Sequence, residues 1–492
     1  MAVWTGLVGP TYTVRSKNVD AERAVNLYAE GVGVGDYYAA RLLGRDAGGG
    51  ATTMALYVVP GLTAQVTSVT ADFISCLFSQ DGRTFAVGVQ GTVATLYEIS
   101  HTFTVTTYSP TMTADTNPAT ISSNGQQANQ LFITSGGNGY IFNLSTNTLT
   151  PITDSSFLGT SMGAFIDGYF LSLVPNSIKF QICDFEDGTN WSTGSAGVAT
   201  REEGSDNFVC LIEDHRTAWL FGSKTSLIYY DSGNTFPFDP LQGAFLEVGC
   251  AAPWATVQLA NSVYWIGQSE RGDRIAYTAN GYTPQRVSTY AVELAWRQFS
   301  TVSDAVGYSY ELDGHAYWVV NFPTAQATWV YDASTQLWHE RGLWSNSLAA
   351  YTNYPGRCHC YAWGTTHLVG SLTDGTIYQE DPTVYQFGSN VIRWMRRATH
   401  VTDELKRTQH HRLQINMQVG TAQEVMLRWS NDGAYTWSNE HWASTGDTGN
   451  FQTRVFWTQL GQARDRVYEI AGNANGPTAL VTAYLDVTPG LN

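Results

Sequence analysis

The chain reads as all-β: a β-propeller-like repeat domain of six or seven blades over residues 66–385, then a C-terminal β-sandwich over residues 386–492. Residues 1–65 read as an extended arm and loop. Three observations predict this. Units of strand, turn and strand recur 34–56 residues apart, about 47 on average, close to the length of a four-stranded blade. The composition, 13% aromatic against 14% charged with 47 Gly, favours pleated strands and tight turns over helices. Beyond Asp381-Pro382 the blade period stops while strand-like runs continue.

The arm comes first. Val19–Tyr28 fits either a short helix or an extended stretch, since its apolar spacing follows neither period well. Gly31-Val32-Gly33-Val34-Gly35 and Gly48-Gly49-Gly50 form a glycine-rich loop ending at Val59-Pro60-Gly61-Leu62. A phosphate-binding loop needs a strand before it and a helix after it, and neither is evident, so that reading is rejected.

Seven units follow, with Ile74–Phe78, Gln130–Thr134, Ala164–Ile166, Phe208–Ile212, Ser262–Ile266, Tyr308–Leu312 and Arg357–Trp363 as their leading strands. The register of the first and last is soft, which leaves six blades open. Turns such as Asp81-Gly82, Asp167-Gly168 and Asp313-Gly314 separate the strands. A blade cannot bury both faces alone; closing the ring does so and leaves only short edges. The sandwich is read from Ile392–Ala398, Arg412–Val419, Val425–Ser430, Arg454–Leu460, Arg464–Ala471 and Ala479–Val487.

Between two sandwich strands lies Ser430-Asn431-Asp432-Gly433-Ala434-Tyr435-Thr436-Trp437. It resembles the Asp box S-x-D-x-G-x-T-W, with Ala434 in place of its glycine. Here Ser430, Asp432, Gly433, Thr436 and Trp437 are expected to clip a hairpin: the carboxylate accepts backbone N–H groups and the indole covers the bend. A degenerate copy reads Glu186-Asp187-Gly188-Thr189-Asn190-Trp191. Sialidase propellers carry such boxes, but the box performs no chemistry itself.

The net charge of −16 excludes long-range attraction to nucleic acid, which needs clustered Lys and Arg. It is compatible with a conduit through which DNA slides without sticking. Six cysteines without a C-x-x-C imply a reducing compartment rather than a disulfide framework. In a strand, Cys358 and Cys360 share a face and His359 takes the other, so no metal site is expected there. No cofactor is expected. Neither a secretory signal nor an apolar run near the ~20 residues of a membrane-spanning segment is visible. Scarce charge with abundant aromatics points to surface hidden in partners.

For catalysis, a sialidase needs an arginine cluster, a Tyr/Glu nucleophile pair and an acid, and these propeller arginines are sparse. Glu213-Asp214-His215 holds acid and base types, but in a turn where a solvated loop explains them. No catalytic residues are assigned. Arg393, Arg396, Arg397, Lys406, Arg407 and Arg412 concentrate positive charge at the propeller–sandwich junction, either as a docking patch for an acidic partner or DNA or as a charged strand edge that blocks aggregation. Strand alternation sends Arg396 and Arg397 to opposite sides.

One longer string is specific. Arg271-Gly272-Asp273-Arg274-Ile275-Ala276-Tyr277-Thr278-Ala279-Asn280-Gly281-Tyr282-Thr283-Pro284-Gln285-Arg286-Val287-Ser288-Thr289 resembles a segment of the tail-nozzle proteins of short-tailed bacteriophages, also called packaged-DNA stabilisation proteins or tail hubs. Asn26-Leu27-Tyr28-Ala29-Glu30, Pro60-Gly61-Leu62 and Phe221–Tyr229 resemble the same family in the same order. The resemblance implies a non-enzymatic virion tail protein assembled in the host cytoplasm. It implies a homo-oligomeric ring, a hexamer, below the portal and its adaptor ring, with a tail needle or plug and tail fibres or spikes as further partners. Packaged double-stranded DNA would pass through the channel without sequence-specific binding. Two rival classes remain at this level: a sialidase-like propeller glycosidase, and a monomeric carbohydrate-binding propeller.

Overall fold

The computed structural model describes residues 2–13, 21–31, 54–201, 204, 206–270 and 272–490. Six blades are each built from consecutive strands. Their innermost strands are Phe73–Gln80, Thr120–Ser123, Gly163–Ile166, Phe208–Asp214, Val257–Leu259 and Val306–Leu312, which number blades 1 to 6. A seventh sheet, blade 7, completes the ring: Gly356–Ala362, Thr366–Ser371 and Ile377–Asp381, closed by Gly61–Val66 from near the chain's start. Leu62 opposite Glu380 and Gly61 opposite Asp381 fix the register of that closure. Gly61 is required there, because a Cβ would stand 2.3 Å from the Val384 carbonyl oxygen.

The blades form as the alternation demands. In blade 6, His315–Phe322 is buried along its whole length between Val306–Leu312 and Ala327–Asp332, with His315 paired to Asp332 and the Trp318 indole and Asn321 amide donating to the Ala255 and Tyr354 carbonyls. Asp313 and Gly314 take φ of 51° and 83°, two successive positive values that match the right-handed strand twist. Polar groups stitch the seams near the axis. The Ser75 hydroxyl accepts the Ala119 N–H at 2.7 Å, Thr120 accepts the Gly163 N–H at 3.1 Å, and Ser309 donates to the Gln258 carbonyl at 2.7 Å. The Cys358 thiol, facing the Ile74 carbonyl at 3.6 Å, joins blade 7 to blade 1.

The sandwich has two sheets. One runs Leu27–Gly31, Met54–Val58, Ala479–Pro489, Thr408–Met417, Val455–Thr458, with Ala2–Trp4 added on Ala479–Pro489. The other runs Arg393–Thr402, Asp465–Asn473, Glu424–Ser430, His441–Ser444. This second sheet does not stop at the domain edge. Arg23–Val25 pairs antiparallel with Arg393–Thr402 and parallel with Leu337–Arg341, the outermost strand of blade 6, making one nine-stranded sheet.

Within the described residues Val19–Tyr28 is extended rather than helical, and it forms strands built into sheets. Arg23–Val25 joins both domains through partners more than three hundred residues away, and Leu27–Gly31 pairs with Met54–Val58 in the sandwich. Local apolar spacing carries no trace of such distant partners. Most of the glycine-rich loop, from residue 32 to residue 50, lies outside the described residues. No helix among the described residues is long and apolar enough to cross a membrane.

Where blades 6 and 7 meet, burial and charge coincide. Arg341 lies 3.3 Å from Glu380, which also accepts the Tyr310 hydroxyl at 2.7 Å, and all three are buried. Tyr317 and Tyr354 flank the guanidinium with their rings 5.1 and 5.7 Å away. His359 and His367 share a hydrogen bond of 3.0 Å. Burial, then the His367 charge, lowers the His359 pKa to about 3, and burial lowers His367 as well. Burial, then Arg341, places His339 well below its ordinary value, and burial with Arg466 lowers His410 to about 4. His315 moves the other way: burial opposes its charge, but Asp332 at 2.7 Å outweighs it. The exposed His215 is also raised, by its hydrogen bond to Asp214.

A histidine whose folded pKa is depressed stays neutral while the unfolded chain takes up a proton. Stability is therefore lost as pH falls below about 6.5, by about 1.4 kcal/mol per pH unit for a fully buried group such as His359. The depressed His339, His359, His367 and His410 outnumber the raised His215 and His315. Urea unfolding between pH 7.5 and 5 is expected to show a falling midpoint, and His359→Gln is expected to flatten that fall. A midpoint independent of pH in the parent chain would contradict it.

Candidate functional site

The Asp-box turn closes as its residue types require. The Asp432 carboxylate accepts the Ser430 hydroxyl at 2.6 Å, the Thr436 hydroxyl at 2.6 Å, and the N–H groups of Tyr435 and Thr436 at 3.1 and 2.9 Å. The hydroxyls of Ser430 and Thr436, then the Thr436 N–H, hold its pKa well below the carboxylate range. Ser430 Oγ also accepts the Ala434 N–H at 2.9 Å. Gly433 and Ala434 take φ of 73° and 70°, so Ala434 occupies the left-handed conformation that a glycine would take more easily. The degenerate copy works on a smaller scale: Asp187 accepts from Thr189, and the Trp191 indole donates to the Gly188 carbonyl at 2.8 Å.

Trp437 folds back from this turn over two arginines, Arg397 and Arg428, whose guanidinium carbons lie 4.8 and 4.7 Å from its ring. Both arginines donate to one buried carboxylate, Glu469: Arg397 at 2.9 and 2.8 Å, Arg428 at 2.7 Å. The box thus serves as a lid on an Arg–Glu–Arg cluster joining neighbouring strands of the sandwich.

The six basic residues singled out from the sequence do not form one patch. Arg396 is fully buried and donates to the Leu7 carbonyl and to Glu22, tying the N-terminal segment to the sandwich. Arg397 points the opposite way, to Glu469. Arg393 stacks on Trp344 at 4.1 Å, and Arg412 on Phe456 at 4.2 Å. Lys406 pairs with Glu404, while Arg407 is exposed. The acids that neutralise the inner members lie far away in sequence. Arg393 and Arg397 are joined instead by Arg23 and Arg428, which sequence proximity could not reveal.

The family-like string forms the outer hairpin of blade 5. Gly272–Asn280 pairs with Thr283–Arg286, and Gly281 supplies the positive φ of 57° in the two-residue turn after Asn280. Arg271 lies outside the described residues, and Asp273 contributes backbone to the strand. Arg274 donates to the Trp296 and Phe299 carbonyls, and Tyr277 stacks on Trp265 at 5.6 Å. Pro284 sits opposite Ala279 in the ladder. Arg286 binds Glu293 at 2.7 Å, and the Val287 carbonyl accepts the Trp338 indole N–H at 3.0 Å. The segment therefore docks the helix Tyr290–Arg297, capped by Thr289, into the seam between blades 5 and 6.

In the Glu213-Asp214-His215 turn, Glu213 accepts the Arg216 N–H at 3.0 Å, and Asp214 accepts from Gln258 at 2.9 Å and pairs with His215 at 2.8 Å. The Arg216 and His215 contacts shape the hairpin, and the Gln258 contact ties it to blade 5. Among the described residues no group of His, Cys, Asp and Glu is arranged to hold a metal ion.

Two family models match the chain: "Bacteriophage P22 Gp10, beta-propeller" over residues 50–385, and "Bacteriophage P22 Gp10, beta-sandwich" over residues 393–488. None of the curated proteins matches it. Among solved structures, the chain is similar to the extracellular domain of BT4673 from B. thetaiotaomicron, at 11% identity and TM-score 0.42 over 83% of this chain and 58% of that one. It is also similar to BamB from Moraxella catarrhalis, at 10% identity and TM-score 0.38 over 66% of this chain and 91% of that one. An exo-β-1,3-galactanase from Phanerochaete chrysosporium gives 10% identity and TM-score 0.30 over 87% of this chain and all of its own, 100%.

Glu469→Gln would leave Arg397 and Arg428 facing each other without a counter-charge under Trp437. Removing one partner of such a buried set costs about 3 kcal/mol. Denaturant unfolding is expected to show that loss, and adding Arg428→Met to Glu469→Gln is expected to offset part of it. A Glu469→Gln variant as stable as the parent chain would show that the cluster contributes nothing.

Proposed function

Since this chain belongs to the bacteriophage P22 Gp10 family, we propose that it forms the tail nozzle ring which closes the portal channel and retains the packaged genome. The family makes it a structural protein of the phage virion tail. What most supports the finer reading is the way propeller and sandwich are joined. A shared nine-stranded sheet and a common apolar core make the two domains one stiff block, as a part that bears the pressure of confined DNA needs.

The ring is a homo-oligomer, a hexamer, built against the portal adaptor ring and assembled in the host cytoplasm. It seats a needle or plug on its axis and carries fibres or spikes outside. Its acidic balance, −16 overall, lets double-stranded DNA pass without being gripped. Exposed aromatics support extensive subunit contact: Tyr435, Trp442 and Phe451 on the sandwich leave 70%, 52% and 73% of their surface uncovered. Such side chains are costly to leave in water, and their burial suits an obligate assembly. No catalysis is assigned; the carboxylates of the Glu213–His215 turn are occupied by the Arg216 N–H and by Gln258 of blade 5.

Particles assembled without this chain are expected to fill with DNA and then lose it, measured as genome accessible to added nuclease and as empty heads by electron microscopy. Full, infectious particles lacking the chain would refute the role. Restoring it with Phe451→Asp and Trp442→Asp together is expected to leave the isolated chain folded but absent from purified tails.

A further inference from the structure

At the junction of propeller and sandwich lies a recess that neither the fold nor the ring requires. It has a volume of about 160 Å³, and Arg23, Arg393, Arg397 and Arg428 line it together with Trp344, Tyr351 and Glu469. Four guanidinium groups share two carboxylates: Glu469 holds Arg397 and Arg428, and Glu340 holds Arg23 at 2.7 Å. Arg393 makes no ion pair among the described residues; its guanidinium carbon lies over Trp344, 4.1 Å from the ring centre. The Tyr351 hydroxyl is buried beside it facing the Arg393 guanidinium, and its own proton meets no acceptor. A buried donor left unmade is unfavourable, and an excess of cations around it is too. One group resolves both: an anion that accepts from the Tyr351 hydroxyl and faces Arg393.

We propose that this recess receives the carboxylate of an acidic peptide segment from another tail protein. The identity of the partner rests on the assembly reading above; the carboxylate chemistry does not. Size and shape favour a peptide side chain over nucleic acid. The recess holds one small planar group, and the flat guanidinium fork of Arg393 matches a carboxylate edge. Duplex phosphates follow a long backbone, and the chain's overall negative charge would repel them. Trp344 and Tyr351, whose rings meet edge-on at 5.1 Å, give the apolar part of such a side chain a wall. The hairpin that carries both, Leu343–Ser345 with Ala350–Thr352, is inserted between blades 6 and 7 and belongs to neither. Its position over the arginines gives it a use.

The test uses the full chain and a fluorescein-labelled peptide of alternating glutamate and glycine, read by anisotropy. The peptide is expected to bind, a glutamine–glycine peptide is not, and Arg393→Gln is expected to weaken binding about tenfold because a charge-assisted contact is lost. Tyr351→Phe, which keeps the ring and removes only the hydroxyl, is expected to weaken it as well. Melting curves of both variants confirm that they fold. Equal binding of the two peptides, or no effect of either substitution, would overturn the proposal. So would inorganic phosphate displacing the peptide at equal concentration, which would mark a free-anion site, or a labelled duplex of about 20 base pairs binding more tightly through Arg393, which would mark a nucleic-acid site. All of these can fail while the chain remains a nozzle subunit, because genome retention is measured separately on particles.

Discussion

The backbone of Arg23–Val25 is hydrogen-bonded on one side to the last strand of blade 6 and on the other to the first strand of the sandwich. Just beyond it, Asn26 turns the chain with φ of 57° while its buried side-chain amide donates to the carbonyls of Gly342 and Arg393 and accepts the Gly342 N–H. Asparagine suits that set because it tolerates the left-handed backbone and brings both a donor and an acceptor. Around it, Glu340 takes the Arg23 guanidinium and the Tyr12 hydroxyl. Burial pushes the Glu340 carboxyl up, but these partners outweigh burial and keep it below the usual range. Without this splice the nine-stranded sheet that runs through both domains would be cut, and sheet edges on both would stand open.

The splice also decides where the core lies. Leu27, Leu56 and Leu62 from the N-terminal strands pack with Tyr310, Tyr317 and Val330 of blade 6 and with Trp394, Leu413 and Ile415 of the sandwich in one apolar cluster. Gly61–Val66, further along the N-terminal part of the chain, closes the propeller ring. Separate strands from the first 66 residues therefore seal the wheel and fasten the sandwich to it.

Much of this architecture is legible in the sequence, because a blade is a local object. Its strands are joined by short turns, and the paired positive φ values at Asp81-Gly82 and Asp313-Gly314 are encoded by the residues themselves. The Asp-box clip is legible for the same reason: Ser430, Asp432 and Thr436 satisfy one another within seven residues. What stays hidden is long-range. Arg23–Val25 is three residues long and carries no period, and its partners lie at 340 and 395–397. The helix Tyr290–Arg297 escapes an all-β reading although its signals are present, Thr289 as cap and Glu293 in the first turn. The basic cluster misleads, since residues adjacent in a strand face opposite ways and their acids, Glu22 and Glu469, come from other elements.

The placement of charge bears on assembly. Charged residues make up only 14% of the chain. Arg201, Arg341, Arg396 and Arg466 are nevertheless buried, as are Glu293, Glu380 and Glu469. Three of these guanidinium groups lie against aromatic rings, Arg201 on Phe208, Arg341 on Tyr317 and Arg466 on Trp429, a geometry that lysine's compact ammonium would not fill as well. Every charge drawn inward leaves the surface with one fewer, while aromatics such as Trp442 and Phe451 remain outside. A monomer in water would be better served by the reverse distribution. The inversion suits a chain whose outer surface is to be covered, and whose ion pairs act as rivets between its own strands rather than as a solvated coat.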